Sequence, residues 1–264
     1  MLFKEFGNKT APAFIALHGG GLSWWSLQKV IDLLKTDYYV VVPVIDGHGD
    51  DSATTFVSIQ DSAQKLIEYI DQKFNGKIFA ISGLSIGAQI VAEVLSKRPD
   101  ISEYAVIESA LVYPIKGIAA MAAPTYTLLY GLIQTKWFAK IQSKALYIPD
   151  EMFELYYRDS IKMSKQSLIN IALSNGRYSL DINIAGTAAK TLILVGSKEQ
   201  KIMIKSAREL HEAIGKSRLQ IMDNMSHGEI SMRHHDKYVD IIRQFIANDS
   251  QPRVMPSEEG RPGR

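Results

Sequence analysis

The sequence contains no cysteine and no apolar run long enough to cross a membrane. The absence of Cys among 264 residues excludes a disulfide framework, a thiolate zinc site and a cysteine nucleophile. A membrane-spanning helix needs about 20 mostly apolar residues in succession, and no stretch meets that requirement. The first residues also lack the basic and then apolar pattern of a secretory signal. We therefore expect a cytoplasmic protein without a membrane span.

The chain also has little net charge of either sign. Lys and Arg total 30 and Asp and Glu total 28, which gives a formal net charge of +2. A nucleic-acid partner would call for a basic surplus, so we predict a small-molecule ligand and no nucleic acid. Hydrophobic residues make up 46% and charged residues 22%, as in ordinary globular proteins. The sequence leaves the oligomeric state open between monomer and homodimer.

Short apolar runs that end in turn residues recur along the chain. Continuous β-branched runs of this kind are typical of strands buried on both faces. The six runs cover 13–17, 38–44, 77–82, 104–107, 191–195 and 218–222. Segments with helical spacing lie between or after them, at 25–34, 59–74, 89–97, 205–214 and 237–246. The alternation predicts an α/β fold with a mostly parallel central sheet and helices on both of its faces.

One long segment interrupts the alternation of strand and helix. Residues 114–183 show helical patterns without a strand and are dense in aromatic residues and Met. We interpret this segment as a helical cap inserted into an α/β core made of 1–113 and 184–247. The remaining residues, 248–264, are rich in Pro, Gly, Ser and charge, and such a composition predicts a disordered tail.

The motif Gly-Leu-Ser-Ile-Gly at 83–87 offers a candidate nucleophile, Ser85. It follows the predicted strand 77–82 and precedes a predicted helix. A tight turn at that place needs small residues around the serine and lifts its hydroxyl clear of the sheet. A serine hydroxyl is a weak nucleophile at neutral pH, so it also needs a base, a group that orients the base, and donors for an oxyanion.

His227 is the best candidate for the base, because it lies in the loop between the last predicted strand and the last predicted helix. Glu199, which follows the strand 191–195 by a short turn, is our choice for the acid that orients it. Glu108, at the end of the strand 104–107, is the alternative acid. Asp223 is a third possibility, although it lies close to the end of its strand. No set of carboxylates and histidines predicts a metal site.

The oxyanion donors are expected from two backbone N–H groups. One belongs to Ile86, the residue after the candidate nucleophile, and the other to Gly20, with Gly21 as an alternative. Both glycines follow the first predicted strand, and glycine lets the backbone approach a substrate closely. In an open parallel sheet the functional groups collect at the carboxyl ends of the strands, which is where all these candidates fall.

Taken together, these motifs resemble the α/β-hydrolase superfamily over about 14–246. The motifs are His-Gly-Gly-Gly at 18–21, Asp-Gly-His-Gly at 46–49, Gly-Leu-Ser-Ile-Gly at 83–87, Gly-Ser-Lys-Glu at 196–199, and His227. The pattern is most similar to small bacterial esterases and lipases with an inserted helical cap. That resemblance implies a triad of Ser85, His227 and Glu199 and an oxyanion hole at Gly20 and Ile86. The sequence departs from the superfamily pattern at Glu199, since the triad acid of the superfamily is more often Asp.

The resemblance implies hydrolysis of carboxylic esters through an acyl-enzyme, without a cofactor or metal. A serine at position 85 argues against the related dehalogenases and epoxide hydrolases, which use Asp there. The aromatic and Met residues of the cap favour an apolar acyl or alcohol group. A carbon–carbon bond hydrolase, a lactonase, a thioesterase or an aminopeptidase with the same triad remains open. So does a ligand receptor that keeps the scaffold and hydrolyses slowly or not at all.

Overall fold

The structure, a computed structural model, describes residues 1–250, which form a seven-stranded sheet covered by helices. The spatial order of the strands is β1-β3-β2-β4-β5-β6-β7. Every neighbouring pair is parallel except β1 with β3, which is antiparallel. The strands are β1 Leu2–Phe6, β2 Ala13–Leu17, β3 Tyr39–Val44, β4 Ile78–Leu84, β5 Ser102–Glu108, β6 Lys190–Gly196 and β7 Ser217–Met222. The predicted mostly parallel α/β sheet is thus confirmed.

Strand β1 is the one strand within residues 1–250 that the sequence pattern did not predict. Its side chains are exposed or half-buried along its whole length, so it lacks the continuous apolar run of the other strands. It pairs with the outer side of β3, with Phe6 opposite Val40. A strand at the edge of a sheet buries less of its surface, so its sequence carries a weaker signal.

Ten α-helices lie within residues 1–250. They are α1 Gln28–Leu34, α2 Ile59–Phe74, α3 Ile86–Lys97, α4 Ile118–Ile133, α5 Lys136–Ala145, α6 Phe153–Ser160, α7 Lys165–Arg177, α8 Lys201–Ala213, α9 Glu229–Arg233 and α10 His235–Ser250. Helix α2 shows how local sequence sets such bounds. The Ser58 hydroxyl accepts a hydrogen bond from the Asp61 N–H at its start, and Asn75 ends it in a left-handed conformation, φ 53°.

The hydrophobic core lies in two layers, one on each face of the sheet. Val41 of β3 contributes to the layer beneath α2, α3 and α8. Its neighbours Val40 and Val42 contribute to the opposite layer, beneath α1 and α10. Successive side chains of a strand point to opposite faces, so both faces of β3 are covered and all six of its residues are buried. This is why the inner strands are continuous apolar runs rather than alternating ones.

Helices α4 to α7 follow β5 and precede β6 in the chain, within the segment 114–183 interpreted from the sequence as an inserted cap, and they are called the cap below. A third cluster of buried side chains packs the cap against the core, with Phe153 and Tyr156 of α6 beside Trp25 and Met232. The indole N–H of Trp25 also donates to Asp159 of the cap, at 2.8 Å. The cap is therefore attached by both apolar and polar contacts.

The last helix, α10, continues to Ser250, so the first three residues of the predicted tail 248–264 are helical. The rest of that tail, 251–264, lies outside the described residues. Within the part that the structure describes, no helix combines the length and the apolar character that crossing a bilayer requires.

Candidate active site

Ser85 stands at the sharp turn between β4 and α3. Its backbone has φ 56° and ψ −115°, a conformation that a non-glycine residue adopts only at a cost. The flanking glycines are required by space. A side chain at Gly83 would collide with the backbone of Gly87, and one at Gly87 would lie 2.6 Å from the carbonyl oxygen of His18. The Ser85 N–H donates to the Glu108 carbonyl at 2.9 Å, which ties the turn to the end of β5.

Ser85, His227 and Glu199 are joined by hydrogen bonds in one line. The Ser85 hydroxyl lies 3.0 Å from Nε2 of His227, and Nδ1 of the same ring lies 2.8 Å from Oε2 of Glu199. With the ring proton on Nδ1, that nitrogen donates to the carboxylate and Nε2 is free to accept the serine proton. This arrangement can generate a serine nucleophile.

The Glu199 carboxylate is fixed by donors on its other oxygen. Oε1 accepts hydrogen bonds from the Gly196 N–H and from the hydroxyl of Ser109, each at 2.7 Å. Burial opposes ionisation of this side chain, but the contacts with His227, Gly196 and Ser109 outweigh it and hold the Glu199 pKa below its usual value. The group is therefore ionised at neutral pH, as an orienting acid must be.

Glu108, the alternative acid, lies near the site but does not contact the imidazole. It is buried, with 1% of its surface exposed, and neither of its oxygens makes a hydrogen bond of good geometry with residues 1–250. Burial raises the Glu108 pKa to about 7, against the opposing influence of Ser231 and His227. Asp223 is exposed to solvent. Of the three candidate acids, Glu199 is the one that the structure brings to His227.

The two candidate oxyanion donors face the same cavity as Ser85. Ile86 is the first residue of α3, and the first N–H groups of a helix have no partner within that helix. Gly20 and Gly21 line the same cavity, together with Ser85 and Ile86. An acyl oxygen bound between Gly20 and Ile86 would thus also benefit from the positive end of the α3 dipole.

His18 holds the Gly20 loop in place from below, a role that the sequence analysis did not identify. It is fully buried. Its Nδ1 donates to the Gly19 carbonyl at 2.9 Å, and its Nε2 accepts from the Ile45 N–H at 3.2 Å. Burial, together with the neighbouring His48, lowers the His18 pKa to about 3, so the ring is neutral at neutral pH and can both donate and accept.

Two cavities of similar size meet at Ser85. The first, of about 290 Å³, extends under the cap and is lined by both candidate oxyanion residues. The second, also about 290 Å³, is lined by His227, Glu199 and Ser109. Of the cap aromatics and Met residues singled out in the sequence, the first cavity receives Tyr126, Tyr156 and Met163, while Met121 and Trp137 are exposed.

Two further residues near the site escaped the sequence analysis. Ser109 follows β5 with a left-handed backbone, φ 55°, and its motif carried no recognisable signal. Asn175 of α7 lines both cavities, but it is distant in sequence from every other site residue. Among the described residues, no group of three or more His, Asp or Glu side chains is placed to hold a metal ion.

Comparisons with known proteins place this chain among hydrolases. The family model described as serine aminopeptidase, S33, matches residues 8–231. Lipase 3 of Moraxella sp. (strain TA144) is 22% identical over 238 residues, which cover 86% of this chain and 75% of the lipase. Monoacylglycerol lipase ABHD6 of Mus musculus is 22% identical over 263 residues, covering 90% of this chain and 76% of that protein.

Solved structures show the same fold. A carboxylesterase of Nitrososphaera gargenis superposes with a TM-score of 0.77 at 17% identity, covering 94% of each chain. A thermophilic esterase of Thermogutta terrifontis has a TM-score of 0.74 at 15% identity, covering 95% of this chain and 94% of the esterase. The family match spans most of the chain, and the fold agrees with it. The chain therefore belongs to the S33 serine aminopeptidase family of the α/β-hydrolase superfamily.

Proposed function

We propose that this hydrolase is a serine esterase that cleaves neutral carboxylic esters with an apolar acyl group. The observation that carries the proposal is the line of hydrogen bonds from Ser85 through His227 to Glu199, at the point where two cavities meet. The named relatives, a lipase and a monoacylglycerol lipase, support ester hydrolysis.

The geometry supports a two-step mechanism. His227 takes the proton of Ser85 as the serine oxygen attacks the ester carbonyl, while the N–H groups of Gly20 and Ile86 stabilise the oxyanion. His227 then gives the proton to the leaving alcohol, and an acyl group remains on Ser85. Water, activated by His227, hydrolyses that acyl-enzyme. Glu199 keeps the imidazole proton on Nδ1 throughout and stabilises the imidazolium that forms.

The walls of the two cavities favour a neutral ester over a peptide with a free amino terminus. Among the described residues, Glu199 and His227 are the only side chains of acidic or basic type that line these walls. An aminopeptidase needs a carboxylate for the substrate ammonium, and Glu199 is already bound to His227, Gly196 and Ser109. Burying an unpaired substrate charge here would be costly.

The cavity under the cap favours an apolar acyl group. Aliphatic and Met side chains make up much of its wall, contributed by Ile133, Leu146, Met163, Leu168 and Ile171. Apolar surface removed from water contributes about 25 cal/mol per Å² to binding. The cavity has a volume of about 290 Å³. One water molecule takes up roughly 30 Å³ of liquid, so the cavity has room for several such volumes and accommodates an acyl chain of medium length.

One experiment distinguishes an enzyme from a ligand receptor with the same fold. A fluorophosphonate probe should label the wild-type protein covalently at Ser85, and the protein should hydrolyse p-nitrophenyl butyrate. Ser85→Ala should abolish the labelling, and His227→Ala should lose almost all turnover, because the serine then lacks its base. Absence of labelling and turnover in correctly folded wild-type protein would refute the esterase and favour the receptor.

A further inference from the structure

The two cavities beside Ser85 take different parts of an ester. The leaving alcohol receives its proton from Nε2 of His227, so it must lie in a cavity that His227 lines. Two cavities meet that condition. The second cavity, called the alcohol cavity below, has about 290 Å³ of room, whereas a small third cavity lined by Ser85, His227 and Gly20 has only about 40 Å³, little more than the volume of one water molecule, about 30 Å³. The first cavity, the acyl cavity, holds Gly20 and Ile86, the proposed donors to the acyl oxygen.

Asn175 is the cap residue that borders both cavities together with Ser85. Its backbone is fixed to the core: Gln89 of α3, which is fully buried, donates from Nε2 to the Asn175 carbonyl at 3.3 Å and to the Leu111 carbonyl at 2.7 Å. The side chain of Asn175 is therefore presented from a rigid point, close to where the ester bond must lie.

The side-chain amide of Asn175 has no hydrogen-bond partner among residues 1–250, although the side chain is half-buried. An amide carries two donor hydrogens and an acceptor oxygen, and leaving such groups unpaired when a substrate excludes water costs about 1–3 kcal/mol. A bound ester with only apolar groups beside Asn175 would incur that cost. An ester that offers a hydroxyl there avoids it.

The alcohol cavity has a second free amide at its rim. Gln200, at the start of α8, lines this cavity and is exposed, and its side chain makes no hydrogen bond within the described part of the chain. The acyl cavity also has polar side chains, but several of them are already paired: the Tyr156 hydroxyl donates to Gln142 at 3.3 Å and the Ser160 hydroxyl donates to the Tyr157 carbonyl at 2.9 Å. The two side-chain amides beside these cavities without any partner in residues 1–250, those of Asn175 and Gln200, both line the alcohol cavity.

We propose that Asn175 is a specificity-determining residue whose amide binds a hydroxyl group on the alcohol part of the substrate. The preferred substrates are then neutral esters of hydroxylated alcohols, with the hydroxyl within a few bonds of the ester oxygen. This inference rests on the proposed esterase function, because it assumes that Ser85 attacks an ester held across the two cavities.

Two butyrate esters of equal size test the inference. 2-Hydroxyethyl butyrate and propyl butyrate differ in one position, where a hydroxyl replaces a methyl group. Wild-type protein should show a kcat/KM ratio of about 3 to 10 in favour of the hydroxylated ester, since one neutral hydrogen bond contributes a factor of that order. Asn175→Leu, which is of similar size, and Asn175→Ala should bring the ratio close to one.

Gln166→Leu is the matched control, because Gln166 is an exposed amide on the same helix whose hydrogen bond goes to Asn170 and not to either cavity. It should leave the ratio at its wild-type value, and thermal unfolding should show that all three variants are folded. A ratio that is unchanged in both Asn175 variants would overturn the inference.

The position of the hydroxyl is tested with propyl 3-hydroxybutyrate, which carries it on the acyl side. An Asn175 effect on this ester alone would overturn the assignment to the alcohol cavity. The esterase proposal fails on a different result, namely that wild-type protein hydrolyses none of the three esters. A third outcome separates the two proposals. If the wild type hydrolyses all three esters, Ser85→Ala hydrolyses none of them and the Asn175 variants keep the wild-type ratio, the esterase function is supported and the role of Asn175 is refuted.

Discussion

At the scale of single residues, the site depends on how the carboxylate next to His227 is held. Glu199 is anchored on Oε1 by Gly196 and Ser109, which leaves Oε2 to the imidazole. Gly196 has to be glycine, because a side chain there would collide with the carbonyl of Met225. In the proposed triad, Glu199 can therefore serve as the orienting acid, since its carboxylate is fixed at both oxygens.

The two candidate acids are separated by a matched pair of isosteric substitutions. Glu199→Gln should lower kcat for p-nitrophenyl butyrate by about 10³- to 10⁴-fold, because the imidazole loses the partner that fixes its tautomer. Glu108→Gln should change kcat by less than about 10-fold, since Glu108 does not contact His227. Steady-state kinetics at one pH decides the question. A larger loss in Glu108→Gln would transfer the role of acid to that residue.

At the scale of secondary-structure elements, helix α7 joins the cap to the core through a polar face. The hydroxyl oxygen of Ser167 accepts from the Phe56 N–H at 3.2 Å, and the Asn170 amide donates to the Phe56 carbonyl at 2.8 Å. One turn further along, Ser174 accepts from the Ile59 N–H at 2.9 Å. Residues at this spacing share one face of a helix, so α7 satisfies the backbone of the segment that leads into α2.

Removing one of these contacts should weaken both the fold and the site. Ser167 is fully buried, so Ser167→Ala leaves the buried N–H of Phe56 without a partner. We expect the free energy of unfolding to fall by about 1–3 kcal/mol, and KM for the butyrate ester to rise, since α7 forms a wall of both cavities. Urea denaturation and steady-state kinetics measure the two effects.

Gln166→Ala, one position away on the exposed face of α7, provides the control for that experiment. It should change the free energy of unfolding by less than about 0.5 kcal/mol. Equal stabilities of Ser167→Ala and the wild type would show that the contact with Phe56 does not support the cap.

At the scale of the whole molecule, one buried carboxyl links stability to pH. Burial raises the Glu108 pKa to about 7 from its ordinary value of 4.5, so the folded protein keeps a proton on this group that the unfolded chain releases. The free energy of unfolding then falls as pH rises from about 4.5 to 7, because the folded state binds more protons than the unfolded state in this interval.

Glu108→Gln should remove this part of the pH dependence. The amide has the shape of the protonated acid and does not titrate. From pH 4.5 to pH 8, the free energy of unfolding of the variant should therefore rise by about 3 kcal/mol relative to that of the wild type. Urea denaturation of both proteins at these two pH values measures the difference. Parallel changes in the free energy of unfolding would show that Glu108 does not titrate in this range.

The sequence by itself determined the mostly parallel sheet and named the candidate residues of the site. Inner strands of a parallel sheet are buried on both faces, so they must be continuous apolar runs, and the five inner strands were visible for that reason. The edge strand β7, which is only partly buried, was found from the run at 218–222. Ser85 could be found because its turn requires glycine two positions before it and two positions after it, at Gly83 and Gly87. His227, Gly20 and both candidate glutamates could be found because each follows a predicted strand.

Only the tertiary structure decided between side chains that are equivalent in sequence. Glu108 and Glu199 both stand at or beyond the ends of neighbouring strands, β5 and β6, but one is buried without reaching His227 and the other is bonded to it. Ser109 and Asn175 come to the site from segments far from Glu199 and Ser85 in the chain. Their roles depend on contacts between distant segments, and no local pattern of residues encodes such contacts.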